Sequence, residues 1–328
     1  MKRIAYFDNV KGILIIFIIL AHVISLCASY YDYDNKILKL NCLFMLQCFF
    51  FISGYFASKS KTKKSKKIIK QIKIYLFWDI LITLYFGFVL RIIDFNLNLF
   101  LPRYTLWFML TLTTYQIMEY LFDKVSGKIM IPLSIMIGVF SGFIPSLGLE
   151  FSLSRTCTFF PFYTIGYYSK SIDLIKLRDN KKMKYIFLFL AALCIYVLFH
   201  SDKIFSLSLL KGATNYYEIK GALWSLPIQR FASYIMGGII SIAFLYLIPK
   251  EKSFFTTLGK HTLYIYLTQG AILKTFITNH WMLENPLFGS SLLFLITLFL
   301  TTIFAMAIPK VKIKVGGVIH GRENKSFA

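Results

Sequence analysis

The first apolar stretch of the chain, residues 11–29, reads KGILIIFIILAHVISLCAS. It is long enough to cross a bilayer core as an α-helix. Similar apolar blocks recur along the 328 residues, which are 57% hydrophobic and only 16% charged. A soluble domain carries a larger charged fraction, and no stretch between the blocks is long enough to form one. The sequence therefore predicts an all-α integral membrane protein, a bundle of about ten transmembrane helices.

The predicted spans define one membrane domain over residues 1–310, followed by a basic tail over residues 311–328. The span at 157–169 is short and contains Pro161 and Gly166, which favours a kinked or re-entrant helix. The segment 201–227 is the longest loop on its side and is predicted to cover a cleft. The ten spans cover residues 11–29, 40–57, 74–93, 104–122, 129–148, 157–169, 185–200, 229–248, 261–281 and 290–308.

The net charge of +22 could indicate a nucleic-acid partner, but the basic residues are distributed as in a membrane protein. Of the 37 Lys and Arg residues, 27 lie at the termini and in alternate loops, including eight lysines between Lys59 and Lys73. The positive-inside rule places these loops and both termini in the cytoplasm. We therefore predict a multi-pass protein of the plasma membrane whose basic loops contact anionic lipid headgroups, and no nucleic-acid partner.

Ionisable residues inside a bilayer are candidates for function, and the first span has two of them. Lys11 and His22 are eleven residues apart, so they share one helix face and are separated by roughly 16 Å along the axis. That distance is similar to the reach of a phosphopantetheine arm. The alternative is an interfacial lysine plus a histidine bonded to a neighbouring helix. Asp8 precedes Lys11 by one turn, where it can form a structural ion pair or contribute to donor binding.

Five segments together resemble a known family. The stretch from Tyr6 to His22 resembles the first helix of the acyltransferase 3 family of membrane proteins, and in particular its fucose 4-O-acetylase-like branch. Four further segments resemble motifs of that family in the same order along the chain. They are FFFISGYF at 49–56, RYTLWF at 103–108, RTCTFFPFYTIGYY at 155–168 and GKHTLYIYL at 259–267.

The resemblance implies a membrane O-acyltransferase of about ten helices. Its donor would be a cytoplasmic acyl-CoA, usually acetyl-CoA, and its acceptor a cell-surface or lipid-linked glycan. By the same resemblance His22 is the catalytic residue, and Lys11 binds the donor with Asp8 beside it. Arg103 and Arg155 match motif arginines of the family. A guanidinium in a dry cavity could stabilise the thioester oxyanion or orient the acceptor, so we count both as catalytic candidates.

The sequence leaves two other functions open. A bundle of about ten spans with charges inside the membrane could be a transporter or exporter of a glycan precursor or small metabolite. It could also be a membrane module that supports a polysaccharide synthase without chemistry of its own. Gln269 departs from the family pattern, in which histidine is common at this position, and glutamine cannot relay protons. The five cysteines and five histidines lack metal-ligand spacing, so no metal site and no disulfide framework are predicted.

Overall fold

The computed structural model describes residues 4–28, 36–92, 100–201, 204–278 and 286–316. Over these ranges the regular structure is entirely helical, and every predicted span overlaps a helix of at least 14 residues. The long helices are α1 (Ala5–Ala28), α2 (Lys36–Lys59), α3 (Lys64–Leu84), α4 (Trp107–Phe122), α5 (Gly127–Phe140), α6 (Leu153–Tyr168), α8 (Lys181–His200), α10 (Ser225–Leu247), α11 (Phe254–Thr278) and α12 (Pro286–Gly316). Two short helices, α7 (Leu174–Arg178) and α9 (Leu207–Lys211), lie between them.

Six helices in the described ranges are long and apolar enough to cross a membrane: α1, α2, α3, α8, α10 and α12. The predicted all-α fold is therefore confirmed over the described residues, and these six helices indicate a membrane protein. Helices α4, α5 and α6 have only 14 to 16 residues each, fewer than a perpendicular crossing of the hydrocarbon core needs. Ten complete crossings and cytoplasmic termini stay predictions.

Helix α3 begins at Lys64, ten residues before its predicted start at residue 74. The basic run that the sequence placed in a loop forms the first turns of this helix, because lysine is a good helix former. Hydropathy marks only the apolar part of such a helix. Two salt bridges hold the first turns of α3 against the end of α4. Lys67 Nζ lies 3.0 Å from the buried carboxylate of Glu119, and Lys64 pairs with Asp123.

Helices α1 and α11 pack backbone against backbone through two glycines. A Cβ atom on Gly12 would lie 2.0 Å from the carbonyl oxygen of Phe255, and one on Gly259 would lie 1.8 Å from that of Asp8. Small residues that allow such close approach are typical of helix pairs in membranes. This crossing fixes the helix that carries Lys11 and His22.

Helices α2 and α6 cross in the same reciprocal way. A Cβ atom on Gly54 would lie 2.1 Å from the carbonyl oxygen of Tyr163, and one on Gly166 would lie 2.1 Å from that of Phe51. Helix α6 runs from Leu153 to Tyr168 with Pro161 inside it. The two glycine crossings hold α1, α2, α6 and α11, and three of these helices, α1, α2 and α11, supply most of the lining of the cavity described next.

Candidate active site

A cavity of about 520 Å³ lies among α1, α2, α3, α4, α6, α9 and α11. Lys11 and His22 both line it, so the common face predicted for these two residues is present in the structure. Because they are eleven residues apart on one continuous helix, they mark two ends of the cavity about 16 Å apart. We call these the Lys11 end and the His22 end. The wall between them is apolar, with Ile18, Met45 and Phe49 among its residues.

His22 is a half-buried imidazole that faces the cavity. Its ring lies edge to face with Tyr104, with centroids 5.6 Å apart and planes at 76°. Its Nδ1 is buried and has no hydrogen-bond partner among the residues that the structure describes. The imidazole is thus positioned by a ring contact, and its Nδ1 is left for a ligand.

Two further cations reach the His22 end. The guanidinium of Arg155 lies 4.5 Å from the centre of the Trp107 ring, and Lys211 Nζ donates to Ser25 Oγ at 3.1 Å. Both line the cavity together with His22, and Ser25 lies one helical turn after His22 on α1. The structure therefore brings Arg155, a residue singled out from the sequence, together with His22.

Lys260 joins Lys11 at the opposite end of the cavity. Lys11 Nζ lies 3.1 Å from Asp8 Oδ1, so the structure contains the ion pair, one of the two roles that the sequence left open for Asp8. The Asp8 carboxylate is buried and is not part of the cavity lining. Asp8 therefore orients Lys11 from outside the cavity. A part for Asp8 in donor binding stays a prediction.

Arg103 is not part of the cavity lining. Its backbone N–H donates to the carboxylate of Asp79, which is buried in α3. Its neighbours Tyr104 and Trp107 line the cavity in its place. The catalytic assignment of Arg103 stays a prediction, and the structure brings a different part of the same motif to the site.

Sequence reasoning did not single out Tyr104 or Lys211. Tyr104 reaches His22 from a left-handed backbone conformation (φ 47°), which no sequence pattern indicates for a tyrosine. Lys211 ends the short helix α9 within segment 201–227. The sequence did predict that this segment covers a cleft, but that prediction did not identify Lys211 as the residue that enters it.

Gln269 is fully buried and is not part of the cavity lining. Neither its amide nitrogen nor its amide oxygen has a partner in the described part of the chain. Within that same part, no group of three or more His, Cys, Asp or Glu side chains is arranged to hold a metal ion.

A family model described as an acyltransferase domain, that of the acyltransferase 3 family, matches residues 4–308. No curated protein and no solved structure matches the chain. The family match spans every residue of the cavity.

Proposed function

Because the chain belongs to the acyltransferase 3 family, we propose that this membrane acyltransferase uses acyl-CoA, most often acetyl-CoA, from the cytoplasm. It transfers the acyl group to a hydroxyl of a cell-surface or lipid-linked carbohydrate at the plasma membrane. The observation that carries this proposal is that Lys11 and His22 line one and the same cavity. The similarity of residues 6–22 to the fucose 4-O-acetylase-like branch supports a carbohydrate acceptor.

The Lys11 end suits the donor. Coenzyme A is rich in phosphate, and lysine ammonium groups form strong charge-assisted hydrogen bonds with phosphate oxygens. Lys11 and Lys260 supply two such groups at this end. The apolar wall then suits the pantetheine arm, and a volume of about 520 Å³ lies within the range of small-molecule sites, about 300–1,000 Å³. A thioester that follows this wall arrives at His22.

The His22 end suits the transfer itself. The acceptor hydroxyl attacks the thioester carbon, and its proton passes to His22 acting as general base, a task that suits a neutral imidazole. The tetrahedral oxyanion collapses, a C–O bond replaces the C–S bond, and the coenzyme A thiolate leaves with the proton from His22. The products are an ester and free coenzyme A. Arg155 is placed to bind either the oxyanion or the acceptor.

The test is transfer of label from radiolabelled acetyl-CoA to glycans in membranes that contain the wild type or His22→Ala. We expect the variant to lose activity by about 100-fold or more, the usual contribution of a general base. His200→Ala is the matched control, because His200 is on α8, is bonded to the carbonyl oxygen of Tyr196 and is not part of the cavity lining.

Full activity of His22→Ala would overturn the mechanism. Absence of label in both proteins, together with substrate uptake into vesicles without any acyl donor, would favour the transporter alternative. Comparable losses in His22→Ala and His200→Ala would mean that the chemistry does not depend on this cavity.

A further inference from the structure

The cavity has an unbalanced charge. Its lining contains four basic side chains, Lys11, Arg155, Lys211 and Lys260, and no Asp or Glu from the described ranges of the chain. At the Lys11 end one of the four, Lys11, is neutralised by Asp8 at 3.1 Å. The imbalance is therefore concentrated at the His22 end, where the acceptor must bind if the proposed function is correct.

The two cations of the His22 end line the same part of the cavity. Arg155 and Lys211 both line the cavity together with His22 on α1 and Cys42 on α2. In the described part of the chain, Lys211 has one hydrogen-bond partner, the neutral hydroxyl of Ser25, and Arg155 packs on the ring of Trp107. Neither has a carboxylate within 4 Å in that part of the chain.

Lys211 is held in place by the fold. Ser154 Oγ donates to the carbonyl oxygen of Gly212 at 2.9 Å, and Ser154 immediately precedes Arg155 on α6. Leu209 and Leu210, the two residues before Lys211, are buried in the bundle. The hydrogen bond and this packing therefore fix Lys211 beside Arg155.

A third cation strengthens the field at this end. Lys274 Nζ, on α11, lies 5.6 Å from the centre of the Tyr104 ring, the same ring that contacts His22. Cations inside a low-dielectric bundle repel one another, and buried charges in proteins are paired as a rule. An anionic ligand would supply the missing charge at this end of the cavity.

We infer that the acceptor carries an anionic group, a phosphate or a carboxylate, next to the hydroxyl that is acylated, and that Arg155 and Lys211 hold it. This inference rests on the proposed function, because it assigns the His22 end to the acceptor. The planar guanidinium of Arg155 can form two parallel hydrogen bonds with either a phosphate or a carboxylate, and the ammonium of Lys211 adds a localised positive charge. Together they fix the position and the orientation of the anionic group of the acceptor. The substrate class is thus an acidic or phosphorylated carbohydrate.

Thermal unfolding of the purified full-length protein tests this, since a ligand that binds the folded state raises the melting temperature. The probes are glucose, glucuronate, glucose 1-phosphate and coenzyme A. We expect the wild type to be stabilised by glucuronate, by glucose 1-phosphate or by both, and not by glucose. A shift with glucuronate alone identifies a carboxylate, and a shift with glucose 1-phosphate alone identifies a phosphate.

The variants locate the site. Lys211→Met should weaken anionic-sugar binding by about ten- to a hundredfold, the loss expected when one hydrogen bond to a charged group is removed, and Lys211→Arg should restore it. Lys11→Met should lose the shift with coenzyme A and keep the shift with the anionic sugar. Lys220→Met is the matched control, because Lys220 lies in the same segment and is exposed.

Three results would overturn the inference: equal shifts with glucose and the anionic sugars, no shift with any sugar, or an anionic-sugar shift that survives in Lys211→Met. Loss of turnover in Lys211→Met with unchanged anionic-sugar binding would also overturn it, because that result assigns the pair to the oxyanion. The proposed function fails separately, when no label is transferred although the anionic sugar still binds.

Discussion

At the scale of single residues, the orientation of His22 is unusual for a catalytic histidine. Such a ring is ordinarily fixed by a hydrogen bond from one nitrogen to a carboxylate or carbonyl. Here Nδ1 is buried without a partner in the described residues, and the Tyr104 ring lies edge to face on the imidazole. Tyr104 adopts φ 47°, a left-handed conformation that costs about 1–3 kcal/mol in a residue other than glycine. Strain held beside a candidate catalytic group is consistent with a positioning role for Tyr104.

Tyr104→Ala should therefore reduce acyl transfer by about tenfold, because the imidazole loses the contact that orients it. Tyr104→Phe should keep nearly full activity, since it retains the ring and the described residues provide no hydrogen-bond partner for the hydroxyl. The measurement is initial rate against acetyl-CoA concentration in membranes with equal amounts of each protein. A loss in kcat with unchanged KM for acetyl-CoA is expected for Tyr104→Ala. Equal losses in both variants would show that the hydroxyl matters rather than the ring.

At the scale of helices, the glycine crossings determine where the cavity residues lie. Lys11 follows Asp8 by one turn and Lys260 follows Gly259 directly, so the contact between the Gly259 Cα and the Asp8 carbonyl also sets the separation of the two lysines. That contact has no room for a methyl group, with 1.8 Å from a Cβ atom to the Asp8 oxygen. Donor binding at the Lys11 end should therefore depend on Gly259, because this glycine sets how closely α1 and α11 approach.

Gly259→Ala should separate α1 from α11 and destabilise the protein by about 2 kcal/mol, a typical cost of overpacking. It should also weaken the stabilisation by coenzyme A. Gly238→Ala on α10 is the matched control, because a Cβ there meets nothing within 4 Å and alanine is favoured in a helix by about 1 kcal/mol over glycine. The measurement is the melting temperature of each purified variant with and without coenzyme A. A melting temperature of Gly259→Ala at or above that of Gly238→Ala would contradict the close crossing.

The same scale explains which parts of the site could be predicted from the sequence. Lys11 and His22 lie on one helix, so their common face follows from helical periodicity alone. The family motif at 155–168 identified Arg155 as a candidate. Its position beside Trp107, however, depends on how α6 packs against α4. Lys211 and Tyr104 depend wholly on tertiary packing, through the Ser154–Gly212 hydrogen bond and a left-handed turn. Local patterns indicate which residues share a helix face, and they do not show which loop residue reaches it.

At the scale of the whole molecule, the basic loops gather at the Lys11 end of the bundle. Phe7 near the start of α1 packs on Phe56 near the end of α2, with ring centroids 4.8 Å apart. Asn9 Nδ2 donates to the carbonyl oxygen of Pro249, just after α10, at 2.8 Å. The start of α3 lies at the same end of the bundle as these helix ends, because the loop between α2 and α3 consists only of residues 60–63. This clustering agrees with the alternation of basic and less basic loops along the sequence.

The orientation of these ends in the membrane is the last prediction, and it decides whether the donor and acceptor assignments are possible. Lys61 lies in the loop after α2, on the basic side, and Lys220 lies in the segment that carries Lys211; both are exposed. Lys61→Cys and Lys220→Cys are made separately in a variant whose five native cysteines are replaced by alanine. A membrane-impermeant maleimide should label Lys220→Cys in intact cells and Lys61→Cys only after the membrane is opened, because the positive-inside rule holds the lysine-rich loops in the cytoplasm.

The reverse labelling pattern would place the Lys11 end outside the cell, where acyl-CoA is not supplied, and the donor assignment would fail with it. Labelling of both positions in intact cells would contradict an odd number of crossings between residues 61 and 220. The expected pattern puts Lys11 and Lys260 on the side of the cytoplasmic donor and Arg155 and Lys211 on the side of the acceptor. The roughly 16 Å from Lys11 to His22 is then the distance that a thioester arm covers within one protein, so no second carrier is needed to bring the acyl group to the acceptor.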